Sequence, residues 1–287
     1  MRLEETVGVR AMDTLSAIRV TGAESKSWLN GQVTQQLALM KAGDAAYGLA
    51  VDVHGKILAD LWVLDRGQDE LVAIVPKTAR DALLTHLDKY IVMEDVDLEP
   101  MEVAVITAQG PAAPGLADGF PCDRLGRGGL DVVVAPDRRD AALAELVAAA
   151  EARGGGAVTE AEWERARVRA GRPRYGVDFD GSHRPQEAGL RDLAVSFQKG
   201  CYLGQEVVCM LDTRGKLRRR LMRLRGAALA AGDALQAEGK DVGEVTSAVP
   251  DDGSWVGLGY VKRAHAEAGQ ILGSPSGEVR VEGPAGA

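Results

Sequence analysis

The chain has 287 residues, of which 46% are apolar and 26% charged, and its formal net charge is −8. This is ordinary globular composition with length for two or three domains and a substantial core, and the acidic balance argues against broad, non-specific affinity for nucleic acid. No run of eighteen apolar residues is present to span a membrane, and Met1-Arg2-Leu3-Glu4-Glu5 is too acidic for a secretory or mitochondrial leader, so a cytoplasmic protein is expected.

The first hundred residues alternate between strand and helix patterns. Ser16–Val20 alternates as a strand, and 23–40 has helical apolar spacing. Tyr47–Val53 and Ile57–Leu64 read as strands around a turn at His54-Gly55-Lys56, followed by a strand at Leu71–Val75. Pro76 opens a helix to about Tyr90, since proline suits a first turn. Glu94–Glu99 returns to extended chain. A second block starts near Val103 with a strand to Ile106, then a Gly/Pro-rich loop, a strand at Leu130–Ala135 and an alanine-rich helix from Arg138 to Arg153. Gly154-Gly155-Gly156 ends that helix. Thr159 and Glu162 then form a capping-box pattern for a helix to about Ala170. Residues 171–192 form a long loop, the kind that is functional or disordered inside a compact domain. From Leu221 onward, short apolar pieces separated by glycines have the rhythm of a small antiparallel barrel, with Pro284–Ala287 as a frayed tail.

Cys122, Cys201 and Cys209 are an odd number without CxxC spacing, so a disulfide framework or a four-thiolate cluster site is not expected. Cys201 stands out within Phe197-Gln198-Lys199-Gly200-Cys201-Tyr202-Leu203-Gly204-Gln205-Glu206. Glycines on both sides permit sharp turns or close approach by a ligand. Lys199, two residues before the thiol, places a cation where it can favour the thiolate. Gln205-Glu206 opens a helix whose N-terminus stabilises a nearby anion. A buried, inert cysteine remains the alternative. The segment from Arg214 to Arg225 carries Lys216, Arg218, Arg219, Arg220 and Arg223 besides its ends and no acid. It reads as a barrel strand with a solvated basic face, or as a phosphate contact that lacks aromatics for base stacking.

Lys199–Glu206 resembles the K-G-C-[YF]-x-G-Q-E signature of YgfZ-type folate-binding proteins. Trp28-Leu29-Asn30-Gly31-Gln32-Val33-Thr34-Gln35, His54–Asp60, Gly171–Asp178, Pro185-Gln186-Glu187 and Gly243–Ser247 are similar to further segments of that family, in order along the chain. The resemblance implies an α+β, three-part, ring-like fold shared with the glycine-cleavage T-protein. Its parts would be an N-terminal α/β sub-domain (1–100), a second carrying the motif (101–218) and a C-terminal β-barrel (219–287). It further implies a tetrahydrofolate or related folate as cofactor, iron–sulfur client enzymes as partners, including tRNA-thiolating ones, and activity assigned to Cys201 with Lys199 beside it. Neither a membrane nor direct nucleic-acid binding is expected.

Among binding residues, Trp163 is either core or a pocket wall, and Tyr202 either stacks on the pterin or packs beside the motif. Gln205 and Glu206 are carried over with the signature. A carboxylate can grip the aminopyrimidinone edge of a pterin. Many folate-binding relatives have a glutamate where this chain has Arg169, which cannot accept hydrogen bonds. Glu187 is then the substitute, with Arg169 left for the ligand's glutamate tail. The aminomethyltransferases need an aspartate that activates the folate amine, and no motif here identifies one. A one-carbon transferase is therefore the alternative function, and a redox thiol protein without folate a third.

Overall fold

The computed structural model describes residues 3–286, with the side chain of Arg214 outside the described set. The chain divides into two compact units. One comprises the chain up to Asp52, Leu58–Thr159 and Ser196–Leu203; the other comprises Val53–Ile57, Glu160–Val195 and the chain from Gly204.

The first unit is built from β1 (Gly8–Ala11), β2 (Leu15–Thr21), α1 (Ser25–Gln32), β3 (Ala45–Val51), β4 (Ile57–Gly67), β5 (Glu70–Pro76), α2 (Lys77–Asp88), β6 (Asp97–Met101), β7 (Ala104–Gln109), β8 (Gly129–Val134), α3 (Arg139–Glu151) and β9 (Gly156–Ala157). They form a five-stranded sheet in the order β3-β4-β5-β2-β6 and a four-stranded sheet in the order β8-β7-β1-β9. Strand β5 is central, and its unbroken run Leu71–Val75 is buried throughout, as a strand covered on both faces requires. Helices α2 and α3 bury residues spaced four apart, Ala79, Leu83 and Leu87 in one and Ala142, Leu146 and Ala150 in the other. The α3 stripe packs on Val9, Ile106 and Leu130. A further core links the two sheets through Ile74, Val72, Val103 and Val105.

Two details depart from the sequence pattern. Strand β1, too short to show a period, was not foreseen. The helix expected over 23–40 stops at Gln32, because Val33 turns extended (φ −122°, ψ 157°) and bridges Ala50.

The second unit begins with α4 (Glu160–Arg169), α5 (Arg191–Ala194) and α6 (Gln205–Arg214). It continues with β10 (Arg219–Gly226), β11 (Ala234–Ala237), β12 (Lys240–Asp251), β13 (Ser254–Lys262), β14 (Ile271–Ser274) and β15 (Gly277–Pro284). The six strands close into a barrel in the order β10-β13-β12-β11-β14-β15, which leaves no free sheet edge. Leu224, Leu235, Val245, Val261, Val279 and Val281 fill its interior. Helix α4 lays Val168 against Leu221, Val256 and Leu258 on the outer wall.

The loop 171–192 is ordered: Phe179 and Asp178 are buried in it. The tail is not frayed as far as it is described. Ala285 is buried and its N–H donates to the Leu221 carbonyl, while the Gly286 N–H donates to that of Gly171; Ala287 lies outside the described residues. No helix among the described residues is long and apolar enough to cross a membrane.

Candidate functional site

The segment Ser196–Leu203 and helix α1 belong to one unit and are joined by main-chain hydrogen bonds at both ends of the segment. Ser196 N–H donates to the Thr34 carbonyl at 2.9 Å, and Leu203 N–H to the Gly31 carbonyl at 3.0 Å. Between them Lys199, 7% exposed, inserts its Nζ into a cradle of three carbonyls. The distances are 2.5 Å to Asn30, 2.7 Å to Val33 and 2.7 Å to Gln35. An ammonium has three protons, and all three are used. These acceptors lie at the C-terminal end of α1, where a helix leaves its carbonyls unpaired and its dipole favours a cation. This explains why α1 stops early: the carbonyls beyond its last turn are claimed by Lys199. Burial pushes the Lys199 ammonium down to about 8, and its Nζ also stands 5.2 Å from the centre of the buried Tyr202 ring.

Cys201 sits between these fixed neighbours and is exposed. A Cβ built on Gly200 would meet nothing within 4 Å, so the approach on that side of the thiol is open. The other two thiols differ. Cys122 is fully buried, and burial followed by the Asp131 charge pushes its thiol well up; burial and then Asp212 raise that of the half-buried Cys209.

The remaining predicted binding residues belong to the second unit. Trp163 is 4% exposed on α4, and Arg167, one turn on, shares its face. Arg167 is buried in an ionic network that sequence reasoning missed. It bonds Asp178 at 2.7 Å, Glu164 at 2.9 Å and the Ser247 hydroxyl at 2.8 Å, and Asp178 also accepts from Thr246 and Ser247. This network fastens α4 and the loop to the barrel wall. Arg169 lies about 120° round the helix from Trp163. Its guanidinium meets Asp251 at 2.6 Å and Asp252 at 3.0 Å, so it is already neutralised by carboxylates from the barrel. Glu187 is half-buried and accepts the Arg184 N–H at 3.2 Å. Gln205 and Glu206 form the first turn of α6, entered through Gly204 at φ +78°, a conformation that favours glycine.

A second feature missed in the sequence is Asp60, at the end of the His54–Asp60 motif and in the first unit. Its Oδ2 accepts the Tyr47 hydroxyl at 2.9 Å, while its buried Oδ1 has no hydrogen-bond partner among the described residues. Burial raises its carboxyl, against the Tyr47 hydrogen bond and the Arg124 charge. Trp62 packs on Tyr47 at 5.3 Å, and Arg124 lies 5.7 Å over Trp62. A buried carboxyl that holds its proton unusually well can give or take one in a reaction. The motif marked Asp60 only as part of a turn. Among the described residues no cluster of histidine, cysteine or carboxylate side chains could hold a metal ion.

Comparison with known proteins matches residues 1–121 to the GCVT N-terminal domain family. The tRNA-modifying protein YgfZ of Edwardsiella ictaluri is 30% identical over 234 residues, covering 76% of this chain and 70% of that protein. The YgfZ of Yersinia pestis is 29% identical over 271 residues, covering 86% and 82%. That of Vibrio atlanticus is 29% identical over 216 residues, and there the match spans 66% of the relative's length and 72% of this chain. The glycine cleavage system aminomethyltransferase T of Bartonella henselae superposes with a TM-score of 0.84 over 98% of this chain and 86% of its own, at 19% identity, which establishes a shared fold. The signature around Cys201, the barrel and these matches agree: the chain belongs to the YgfZ family, on the fold of the glycine-cleavage aminomethyltransferases.

Proposed function

We propose that this protein is a tetrahydrofolate-binding accessory factor that supports iron–sulfur enzymes, including those that modify tRNA, through Cys201. The observation that carries the reading is an exposed thiol on a segment pinned at Ser196, Lys199 and Leu203. A reactive group held on a rigid frame is presented in one geometry, as chemistry requires. The GCVT domain match and the aminomethyltransferase fold support a folate as the cofactor. Trp163 and Glu187 are the residues proposed to line its site, with Gln205 and Glu206 contributed by the signature. Arg169, paired to Asp251 and Asp252, is left to act on the ligand only by exchanging those partners. The cytoplasm, where thiols stay reduced, is the compartment that fits such chemistry.

Titrating tetrahydrofolate against intrinsic tryptophan fluorescence tests the cofactor. Saturable quenching that largely disappears in Trp163→Phe is expected, since the buried indole would then adjoin the ligand. An absence of saturable quenching up to millimolar ligand removes folate from the function.

Asp60 favours a second reading, a folate-dependent one-carbon transferase. The buried carboxyl with an open oxygen is the proton-handling group such an enzyme needs. This reading requires turnover of an aminomethyl or methyl donor with tetrahydrofolate, lost by about a hundredfold or more in Asp60→Asn while folate still binds. A wild-type protein that binds folate without turnover leaves the accessory reading alone.

A further inference from the structure

The outer wall of the barrel carries a cleft of about 450 Å³ that none of the residues assigned above explains. Its roof is the turn from Gly176 to His183, and its floor is formed by β10, β13 and β12. Register decides what faces it. Arg219 is paired with Lys262, and Glu244 with Tyr260; directly opposed residues share a face of a sheet. Tyr260 and Lys262, two apart on β13, share a face as well. All four therefore line the cleft.

Tyr260 is its centre. The ring is 5% exposed, with His183 stacked on it at 4.7 Å and 19° and the Arg219 guanidinium 4.7 Å from its centre. Burial pushes the phenol up, so the hydroxyl keeps its proton and is a donor. That hydroxyl has no hydrogen-bond partner among the described residues, and neither has Nε2 of His183, itself 8% exposed. The other ring nitrogen of His183 is occupied by Asp180 at 2.9 Å and the Ser182 hydroxyl at 3.1 Å. Two buried polar groups left unsatisfied side by side cost stability unless something joins them.

The charges around this centre are also unmatched. Arg219, Lys262 and Glu244 make no ion pair among the described residues; Lys262 donates to the Asp241 carbonyl at 2.7 Å, which satisfies one of its protons. By contrast, Arg225 and Arg167 in the same unit are each paired with carboxylates. Of the carboxylates in the lining, Asp178 is paired with Arg167, Asp180 is engaged by Ser182 and His183, and Asp241 accepts from Gln236; the groups left over are Arg219 and Lys262 at one end and Glu244 at the other. Strands β10 and β12 lie on either side of β13, so these ends start about 10 Å apart at the backbone.

From this arrangement we propose that the cleft binds a free amino acid whose amine and carboxylate are several bonds apart, with the carboxylate on Arg219 and Lys262 and the ammonium on Glu244. Bidentate pairing of a guanidinium with a carboxylate fixes one end. The separation of the charged ends selects a long zwitterion over glycine, and Tyr260 lies on the strand between those ends with His183 stacked on it. The site is independent of the folate reading.

Calorimetric titration of the full chain is the test, with δ-aminovalerate and lysine as probes and glycine, acetate and diaminopentane as controls. Saturable binding of the two long zwitterions is expected, with each control weaker by about tenfold or more, the loss of one charged contact. Glu244→Gln and Arg219→Gln should each weaken the zwitterions by a similar factor. Lys262→Gln serves if the half-buried Arg219 proves necessary for folding. Tyr260→Phe removes an unsatisfied hydroxyl, so it should raise the melting temperature of the free protein while weakening the ligand. The proposal is overturned if no probe gives saturable heat by about 10 mM. It is equally overturned if acetate binds as tightly as δ-aminovalerate and Glu244→Gln changes nothing.

Discussion

Cells lacking their own family member are expected to gain no rescue from the Cys201→Ala variant, although the purified variant folds and melts like the wild type. The two halves of this expectation have separate causes. Cys201 is exposed, so removing its sulfur opens no cavity, and exposed substitutions of this kind usually stay within about 0.5 kcal/mol. The same change at the fully buried Cys122 would open space in the core between the sheets and lower stability by about 1 kcal/mol. Of the three thiols, Cys201 alone is exposed, while burial raises those of Cys122 and Cys209. Complementation and a denaturant melt of the same variant therefore separate chemistry from folding. Rescue at the wild-type level would take the function away from this thiol. Lost rescue together with a large drop in stability would mean that the sulfur packs rather than reacts.

Lys199→Met should strongly destabilise the first unit. Methionine matches the length of the stem but donates nothing, leaving the carbonyls of Asn30, Val33 and Gln35 without the donor that now serves all three. Orphaning buried acceptors costs about 1–3 kcal/mol each. Water reaches part of this cradle, so a total loss of about 3 kcal/mol is expected. Amide exchange should rise across Ser196–Leu203, where the latch is lost, and alkylation of Cys201 by iodoacetamide should change in rate. Lys199→Arg should not restore the wild type, because a planar fork does not fit three carbonyls converging on one point.

The pH dependence has a definite sign. With its ammonium lowered to about 8, native Lys199 releases its proton before the unfolded chain does at about 10.4. Between those values the unfolded state binds more protons, so this group alone makes the wild type gain stability as pH rises. The variant lacks that slope, and the gap between the two should widen from pH 8 to about 10. A gap that narrows instead would show the carbonyl cradle outweighing burial.

Much of the architecture was legible from period and punctuation alone. Leu71–Val75 reads as a buried strand because five apolar residues run together between polar ends. Helix α2 begins after Pro76 and ends at Asp88 within two residues of expectation. The glycine rhythm after Leu221 announced a barrel that the strands close. The signature Lys199–Glu206 carried most of the family reading, since seven defined positions in eight residues rarely coincide by chance. What was misjudged lay where distant chain intervenes. The helix over 23–40 was cut short at Gln32 by an acceptor demand from Lys199, 166 residues beyond Val33. The tail past Pro284 is held by Leu221 and Gly171.

The sequence on its own determined the elements, the family and the presence of one distinctive thiol, because these depend on local spacing and on residue identity. Only the tertiary structure decided what the charged residues do. It turned Lys199 from a neighbour of the thiol into a clamp on α1, and it gave Arg169 two carboxylates to answer. It buried Asp60 with one oxygen open, and set Arg219 and Glu244 across Tyr260 without pairing them. The reason is physical: a charge acquires its role from burial and from partners brought within about 3 Å, and neither is written in the order of residues nearby.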